Sequence, residues 1–288
     1  MFQETSKHKI NNNKNLIDSE REIKYRNLMH QLTILGAKTN IKYKINIQNN
    51  CSKIDGRPVI YSFNHFSAQD TPIACTILEK RAYILAGVQN LGLLDNIFFW
   101  LNGSIFVDRK DKEDMKFSKD AMISYLNKDI PIICFPEGTW NLSDNLLMLN
   151  MKWGIIDVAL ESNAQIIPVI LDYDRDNMIC NVKYGQPFLP EAYSNKKEAI
   201  DTLRDYMATE RWLEMEKYGV LSRAECDIER LYKINNKSIE EFPKIDMDYE
   251  NSIIYKPYPS KEEVFEPIKR MKIKKENSFM FYKNNKGI

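Results

Sequence analysis

Arg57-Pro58-Val59-Ile60-Tyr61-Ser62-Phe63-Asn64-His65-Phe66-Ser67-Ala68-Gln69-Asp70-Thr71-Pro72 decides the fold. Arg57–Phe63 is an almost continuous apolar run of strand length, the pattern of a strand buried on both faces. Thr71 is placed to cap a helix whose first position is Pro72. Because Pro72 disfavours helix at the residue before it, residues 65–70 read as a turn between the strand and the helix. Strand, turn and helix in succession form the repeating unit of an α/β layer fold.

The same alternation recurs on both sides of this stretch. Upstream, Ser19-x-x-Glu22 reads as a capping box that opens a helix with Ile23, Leu28, Leu32 and Leu35 near one face and Gly36 as its end. Ile41–Ile47 alternates as a half-buried strand does. Downstream, strands are expected at Ala82–Leu85, Ser104–Val107, Ile130–Phe135, Ile166–Leu171 and Val182–Tyr184. Helices are expected at Lys112–Leu126, with Met115, Met122, Tyr125 and Leu126 on one face, and at Lys152–Leu160. Asn195-x-x-Glu198 opens a long helix through Lys217, with Ile200, Leu203, Met207 and Leu213 apolar. The expected architecture is α/β, a mainly parallel buried sheet flanked by helices. It divides the chain into a polar N-terminal tail at 1–18, a catalytic domain at 19–217 and a C-terminal extension at 218–288.

The chain has 288 residues, of which 43% are hydrophobic and 28% charged, enough apolar material for a packed core. Lys and Arg number 41 against 40 Asp and Glu, so the chain lacks the basic excess of a nucleic-acid binder. No stretch approaches the ~18 apolar residues of a membrane-spanning helix. Five irregularly spaced cysteines without C-x-x-C argue against disulfide and zinc frameworks, and the N-terminus has no apolar signal region, so a reducing cytoplasm is expected. With only ten glycines and no Gly-rich phosphate loop, a dinucleotide fold has no support. Ser260-x-x-Glu263 suggests a short helix. Residues 266–288 are basic with embedded aromatics, a pattern open to either membrane-surface contact or a solvated tail.

Chemistry gathers where strands end, because the carboxyl edge of such a sheet is where sites form. His65 and Asp70 flank the turn after the first strand. A carboxylate folded back on the imidazole would hold one tautomer and leave the other nitrogen as a base. Alternatively, Asp70 merely supports the helix N-terminus. Arg109 ends Gly103–Asp108 and reads as an anion clamp, or as a surface partner of Asp108 or Asp111. Pro136 and Gly138 force a turn that exposes Glu137 at the sheet edge, with Thr139 and Trp140 beside it; the alternative is a plain loop turn. Of three histidines, His8 lies in the polar leader and His30 on a helical pattern, which leaves His65 for chemistry.

These blocks, in this order, resemble the glycerolipid acyltransferase family that includes 1-acylglycerol-3-phosphate acyltransferases. Asn64-His65-x-x-x-x-Asp70, Gly103-x-Ile105-Phe106-Val107-Asp108-Arg109, Phe135-Pro136-Glu137-Gly138-Thr139 and Ile166-Ile167-Pro168-Val169-Ile170 are similar to its four motifs. Lys152-x-Gly154 and Tyr184-Gly185-x-Pro187 also sit where the family has similar residues. The resemblance implies acyl transfer from an acyl-CoA or acyl carrier protein thioester to a lysophospholipid-like hydroxyl. His65 would be the general base oriented by Asp70, and Arg109, Glu137, Gly138, Thr139 and Trp140 would position the acceptor. Asn64, Gly103 and Pro168 would support them. It implies no metal and no cofactor beyond the acyl co-substrate, no nucleic acid partner, and peripheral contact with the cytoplasmic face of a membrane. Two departures point to other acceptors, such as a sugar, an amino-lipid or a secondary metabolite: Trp140 replaces the arginine common after the third motif, and Ala86-Gly87-Val88 has no lysine. A thioesterase or a non-catalytic lipid-binding protein are the remaining readings.

Overall fold

In the computed structural model, the described residues are 17–218 except 79, 88–92, 142–145 and 176, together with 229, 233 and 236. The expectations for His8, for the helix at Ser260–Glu263 and for the basic stretch at 266–288 lie outside them. So does Val88.

The chain begins with helix α1 (Glu20–Asn40), opened by the capping box expected at Ser19 and Glu22. Strands β1 (Lys44–Ile47) and β2 (Val59–Phe63) follow, then helix α2 (Asp70–Ile77) and strand β3 (Tyr83–Gly87). Next come helix α3 (Leu93–Asn102), strand β4 (Ser104–Val107), helix α4 (Lys112–Leu126) and strand β5 (Ile132–Cys134). Helix α5 (Gly154–Ser162), strands β6 (Gln165–Asp174) and β7 (Ile179–Tyr184) and helix α6 (Lys196–Tyr218) complete the described part.

The strands form one sheet in the order β1-β7-β6-β2-β5-β3-β4. β6, β2, β5, β3 and β4 run parallel; β7 is antiparallel to β6, and β1 is parallel to β7. The expected α/β fold with a mainly parallel sheet is therefore the observed one. Apolar clusters cover both faces. Met122, Tyr125, Ile156, Leu203 and Met207 belong to one cluster, and Phe63, Ile73, Ile84, Ile167 and Leu171 to the other. With both faces covered, the central strands read as continuous apolar runs rather than alternating ones.

Several boundaries differ from the sequence expectation. β6 starts at Gln165 and runs to Asp174, beyond the apolar run, because its polar end pairs with β7 across the turn. α2 starts at Asp70, so Thr71 lies inside its first turn rather than capping it. α1 continues past Gly36 to Asn40, and it buries His30, Thr33 and Ala37 instead of its leucines. Leu28 is 78% exposed, and Leu32 and Leu35 are exposed as well. Met115 and Leu213 are also exposed. Asp18, expected in the tail, is tied into the fold: it binds Arg26 Nε at 2.6 Å, accepts from the Tyr83 hydroxyl, and donates its amide to the Tyr125 hydroxyl at 2.8 Å.

Gly103 has φ +91°, and a Cβ there would lie 2.6 Å from Tyr83 Cε1. That ring is buried and stacked on Tyr125 at 4.1 Å, so it cannot yield. Gly103→Ala combines left-handed strain with overpacking and should destabilise the fold by about 2–4 kcal/mol. Chemical denaturation checks this; a midpoint equal to that of the native chain would contradict it.

Candidate active site

His65, Arg109 and Glu137 follow the carboxyl ends of β2, β4 and β5, so the sheet brings three sequence-distant turns to one edge. Asn64 fixes the first of them. Its side chain is wholly buried, donates to Leu171 O at 2.9 Å and accepts from Leu171 N at 2.7 Å. That pair of bonds sews the end of β2 to β6 just before the chain turns at His65.

Asp70 is 0% exposed, and its carboxylate is surrounded by donors. Oδ2 accepts from Phe66 N at 2.5 Å, from Ser67 N at 2.8 Å and from His65 Nδ1 at 2.7 Å. Oδ1 accepts from the Ser67 hydroxyl at 3.3 Å and from the Tyr173 hydroxyl. An ionised carboxylate can only accept, so the contact with His65 places a proton on Nδ1, and in the neutral imidazole Nε2 then carries the lone pair. The imidazole stacks on Phe135 at 4.4 Å, and Trp140 meets its edge at 6.0 Å. Two aromatic rings thus hold the imidazole in one plane and keep its surroundings apolar.

Glu137 is placed differently from the expectation. It is 2% exposed rather than displayed at the rim. Oε1 accepts from His65 N at 2.9 Å and Oε2 from Leu149 N at 2.7 Å. Its two oxygens therefore anchor the His65 turn and the loop at 146–149. Burial pushes its carboxyl up to about 7, against the lowering effect of those two amides and of the Arg211 charge.

Arg109 donates from Nη1 to Gly138 O at 3.2 Å and lies along Gly87. Gly138, with φ +76°, carries the turn that brings Lys152 against the same position: a Cβ there would be 3.6 Å from Lys152 Cε and 3.7 Å from Arg109 Nη1. Two cations thus flank the exposed Gly138 turn, which gives this sheet edge an anion-attracting side. Thr139 is half-buried next to Trp140, and Trp140 itself is buried, so it walls the site rather than reaching into solvent. Pro168 sits inside β6 opposite Ser62, below the site, and accepts from Gly185 N at 2.7 Å.

Sequence reading missed two residues. Tyr173, at the end of β6, reaches Asp70 from more than one hundred positions away. Arg211, on α6, donates to Leu147 O at 2.6 Å and lies 4.0 Å over the Phe66 ring. A clamp between two loops leaves no local pattern; the one available signal was an arginine within an otherwise apolar helical stripe.

The raised Glu137 carboxyl sets a pH dependence. A carboxyl whose native value lies above its ordinary 4.5 favours the fold fully below that pH, and the contribution is lost as pH rises through about 7. Glu137→Gln does not ionise. Its stability relative to the native chain should therefore rise between pH 4.5 and 7, by roughly 2–3 kcal/mol. Urea denaturation across that range checks it; a constant difference would contradict the buried carboxyl.

Residues 41–172 match the family model described as acyltransferase. The chain is 26% identical over 136 residues to the 1-acyl-sn-glycerol-3-phosphate acyltransferase of Haemophilus influenzae, an alignment covering 43% of this chain and 55% of that protein. It is 28% identical over 137 residues to the enzyme of the same name from Saccharomyces cerevisiae, covering 45% and 43%. The chain thus spans about half the length of the curated relatives it matches. The fold is similar to the crystal structure of the 1-acyl-sn-glycerophosphate (LPA) acyltransferase from Thermotoga maritima, with a TM-score of 0.52 at 19% identity over 74% of this chain and 89% of that one. With the motif turns at one sheet edge, these matches agree in one direction: residues 41–172 are similar to the acyltransferase family, and the curated relatives are 1-acyl-sn-glycerol-3-phosphate acyltransferases.

Proposed function

We propose that this protein is an acyltransferase that moves a fatty acyl group from a thioester, acyl-CoA or acyl carrier protein, to a hydroxyl of a lysophospholipid-like acceptor, with 1-acylglycerol-3-phosphate as the default. The observation that carries the reading is the His65–Asp70 pair, with Nδ1 bound to a buried carboxylate and Nε2 left with its lone pair. Nε2 takes the proton of the acceptor hydroxyl as its oxygen attacks the thioester carbonyl carbon. The tetrahedral intermediate collapses, the C–S bond breaks, and the thiolate leaves and recovers the proton from the imidazolium. The acceptor gains the acyl group, the thiol is released, and the enzyme returns unchanged. Arg109 and Lys152, flanking the Gly138 turn, attract the acceptor's phosphate.

Peripheral membrane contact completes the proposal. No described helix is long and apolar enough to cross a membrane. Tyr25, Leu28, Leu32 and Leu35 form an exposed apolar stripe at helical spacing on α1, and exposed Ile97 and Trp100 on α3 extend it, with the Tyr25 and Trp100 rings 6.3 Å apart. The end of α1 is bound to the catalytic turn through Gln69, which donates to Asn40 O at 3.1 Å and accepts from Lys42 N at 2.7 Å. A helix resting on the lipid surface therefore sits one residue pair from the base. A cytoplasmic membrane face suits this arrangement.

Trp140 favours a second reading of the acceptor alone. Its ring stands beside His65 where relatives commonly carry a cation, so a less charged hydroxyl, on a sugar or amino-lipid, is accommodated there.

Acyl transfer from acyl-CoA and acyl carrier protein to lysophosphatidate, followed by product mass spectrometry, tests the function. His65→Ala should lower the rate by roughly 10²–10⁴-fold. Arg109→Ala should raise KM for the phosphate-bearing acceptor by about 10–100-fold, the worth of a charge-assisted bond, with little change for a neutral lysolipid. No transfer to any lysolipid, or free fatty acid released without acceptor dependence, would overturn the proposal. Leu28→Glu with Leu32→Glu should release the chain from anionic vesicles in flotation; undiminished binding would remove α1 from the membrane contact.

A further inference from the structure

We infer that Tyr173 is a positioning residue for the His65–Asp70 pair, an inference that rests on the acyl-transfer reading of this site. Four observations support it. The Tyr173 hydroxyl donates to Asp70 Oδ1, while His65 and two backbone amides occupy Oδ2. The other donor to Oδ1, the Ser67 hydroxyl, is long at 3.3 Å, so Tyr173 supplies the close contact that keeps Oδ1 turned away from the imidazole. Tyr173 is held by the antiparallel ladder, opposite Cys180, and its ring packs edge-on against Tyr43 at 4.8 Å. Burial and the neighbouring Asp70 charge push its hydroxyl far above the ordinary range, so it remains a donor.

The consequence is specific to chemistry. A carboxylate free to rotate about its Cβ–Cγ bond could offer the imidazole either oxygen, and each offers a different direction. Locking Oδ1 to a sheet residue fixes Oδ2, hence the plane of His65 and the direction of Nε2. The same bond draws part of the carboxylate's charge toward Oδ1, which tempers how strongly Oδ2 draws the Nδ1 proton. As the imidazolium forms, Asp70 balances a full positive charge, so the Tyr173 contact matters more in the transition state than in the ground state.

Tyr173→Phe keeps the ring and removes the donor. A hydrogen bond to a charged group that acts in the transition state corresponds to roughly 10–100-fold in rate. The expected result is a loss of that size in kcat, with KM for thioester and acceptor unchanged. In an Asp70→Asn background the same substitution should cost less than about 2-fold, since the two residues act as one unit. Ser67→Ala should give a smaller loss of the same kind. Independently of activity, the low-field proton resonance of His65 Nδ1, identified by its absence in His65→Ala, should shift in Tyr173→Phe. Full activity in Tyr173→Phe, a loss confined to KM, an equal loss in the Asp70→Asn background, a larger loss in Ser67→Ala, or an unmoved Nδ1 proton would each overturn the inference. If the native chain transfers no acyl group, the functional reading fails, while the Nδ1 resonance still reports on Tyr173; that resonance also serves if a variant proves too weakly folded for kinetics.

Discussion

A carboxylate removed from water must find every partner inside the protein, and Asp70 is the point at which this requirement shapes the site. It accepts the amides of Phe66 and Ser67, the Nδ1 proton of His65 and the hydroxyls of Ser67 and Tyr173. Glu137, also buried, takes the amide of His65 itself. Three consecutive amides after β2 are thus consumed by two carboxylates from different parts of the chain. The backbone of the turn is thus held at three successive positions, and an imidazole fixed in this way would need little reorganisation on accepting a proton.

The sheet supplies the coordinates for that arrangement. Asn64 bonds across to Leu171, so the start of the turn is in register with β6, and Tyr173 lies two residues further along the same strand. β5, next to β2, delivers Phe135 beneath the imidazole and Glu137 behind it. α6 closes the back: Arg211 covers Phe66 and holds Leu147, while Leu203 and Met207 bury the helix against the sheet. The charge of Arg211 also tempers the rise of the Glu137 carboxyl, so a packing helix reaches the electrostatics of the turn.

Much of this was legible in the residues. Continuous apolar runs marked β2, β5 and β6, the Ser19 and Asn195 caps marked two helix starts, and Lys112–Leu126 carried its helix from end to end. The motif order placed His65, Asp70 and Arg109 at strand ends. What escaped was long-range. Helical periodicity identified an apolar stripe on α1 but not which side faces inward; the inner side is Thr33 and Ala37, small enough for close helix packing, and the leucines face out. Glu137 read as exposed because charge normally seeks water, and its satisfying amides lie 72 and 12 positions away. Tyr173 had no local mark at all.

The tautomer of His65 tests the central claim most directly, and only three histidines in the chain make it accessible. Nitrogen chemical shifts of the ¹⁵N-histidine-labelled protein, followed to a pH at which the imidazole is neutral, distinguish Nδ1–H from Nε2–H. The expected result is one imidazole with a protonated Nδ1 and an unprotonated Nε2, lost on His65→Ala. An imidazole at His65 carrying its proton on Nε2 would contradict the arrangement, since Nδ1 would then have no proton to give Asp70.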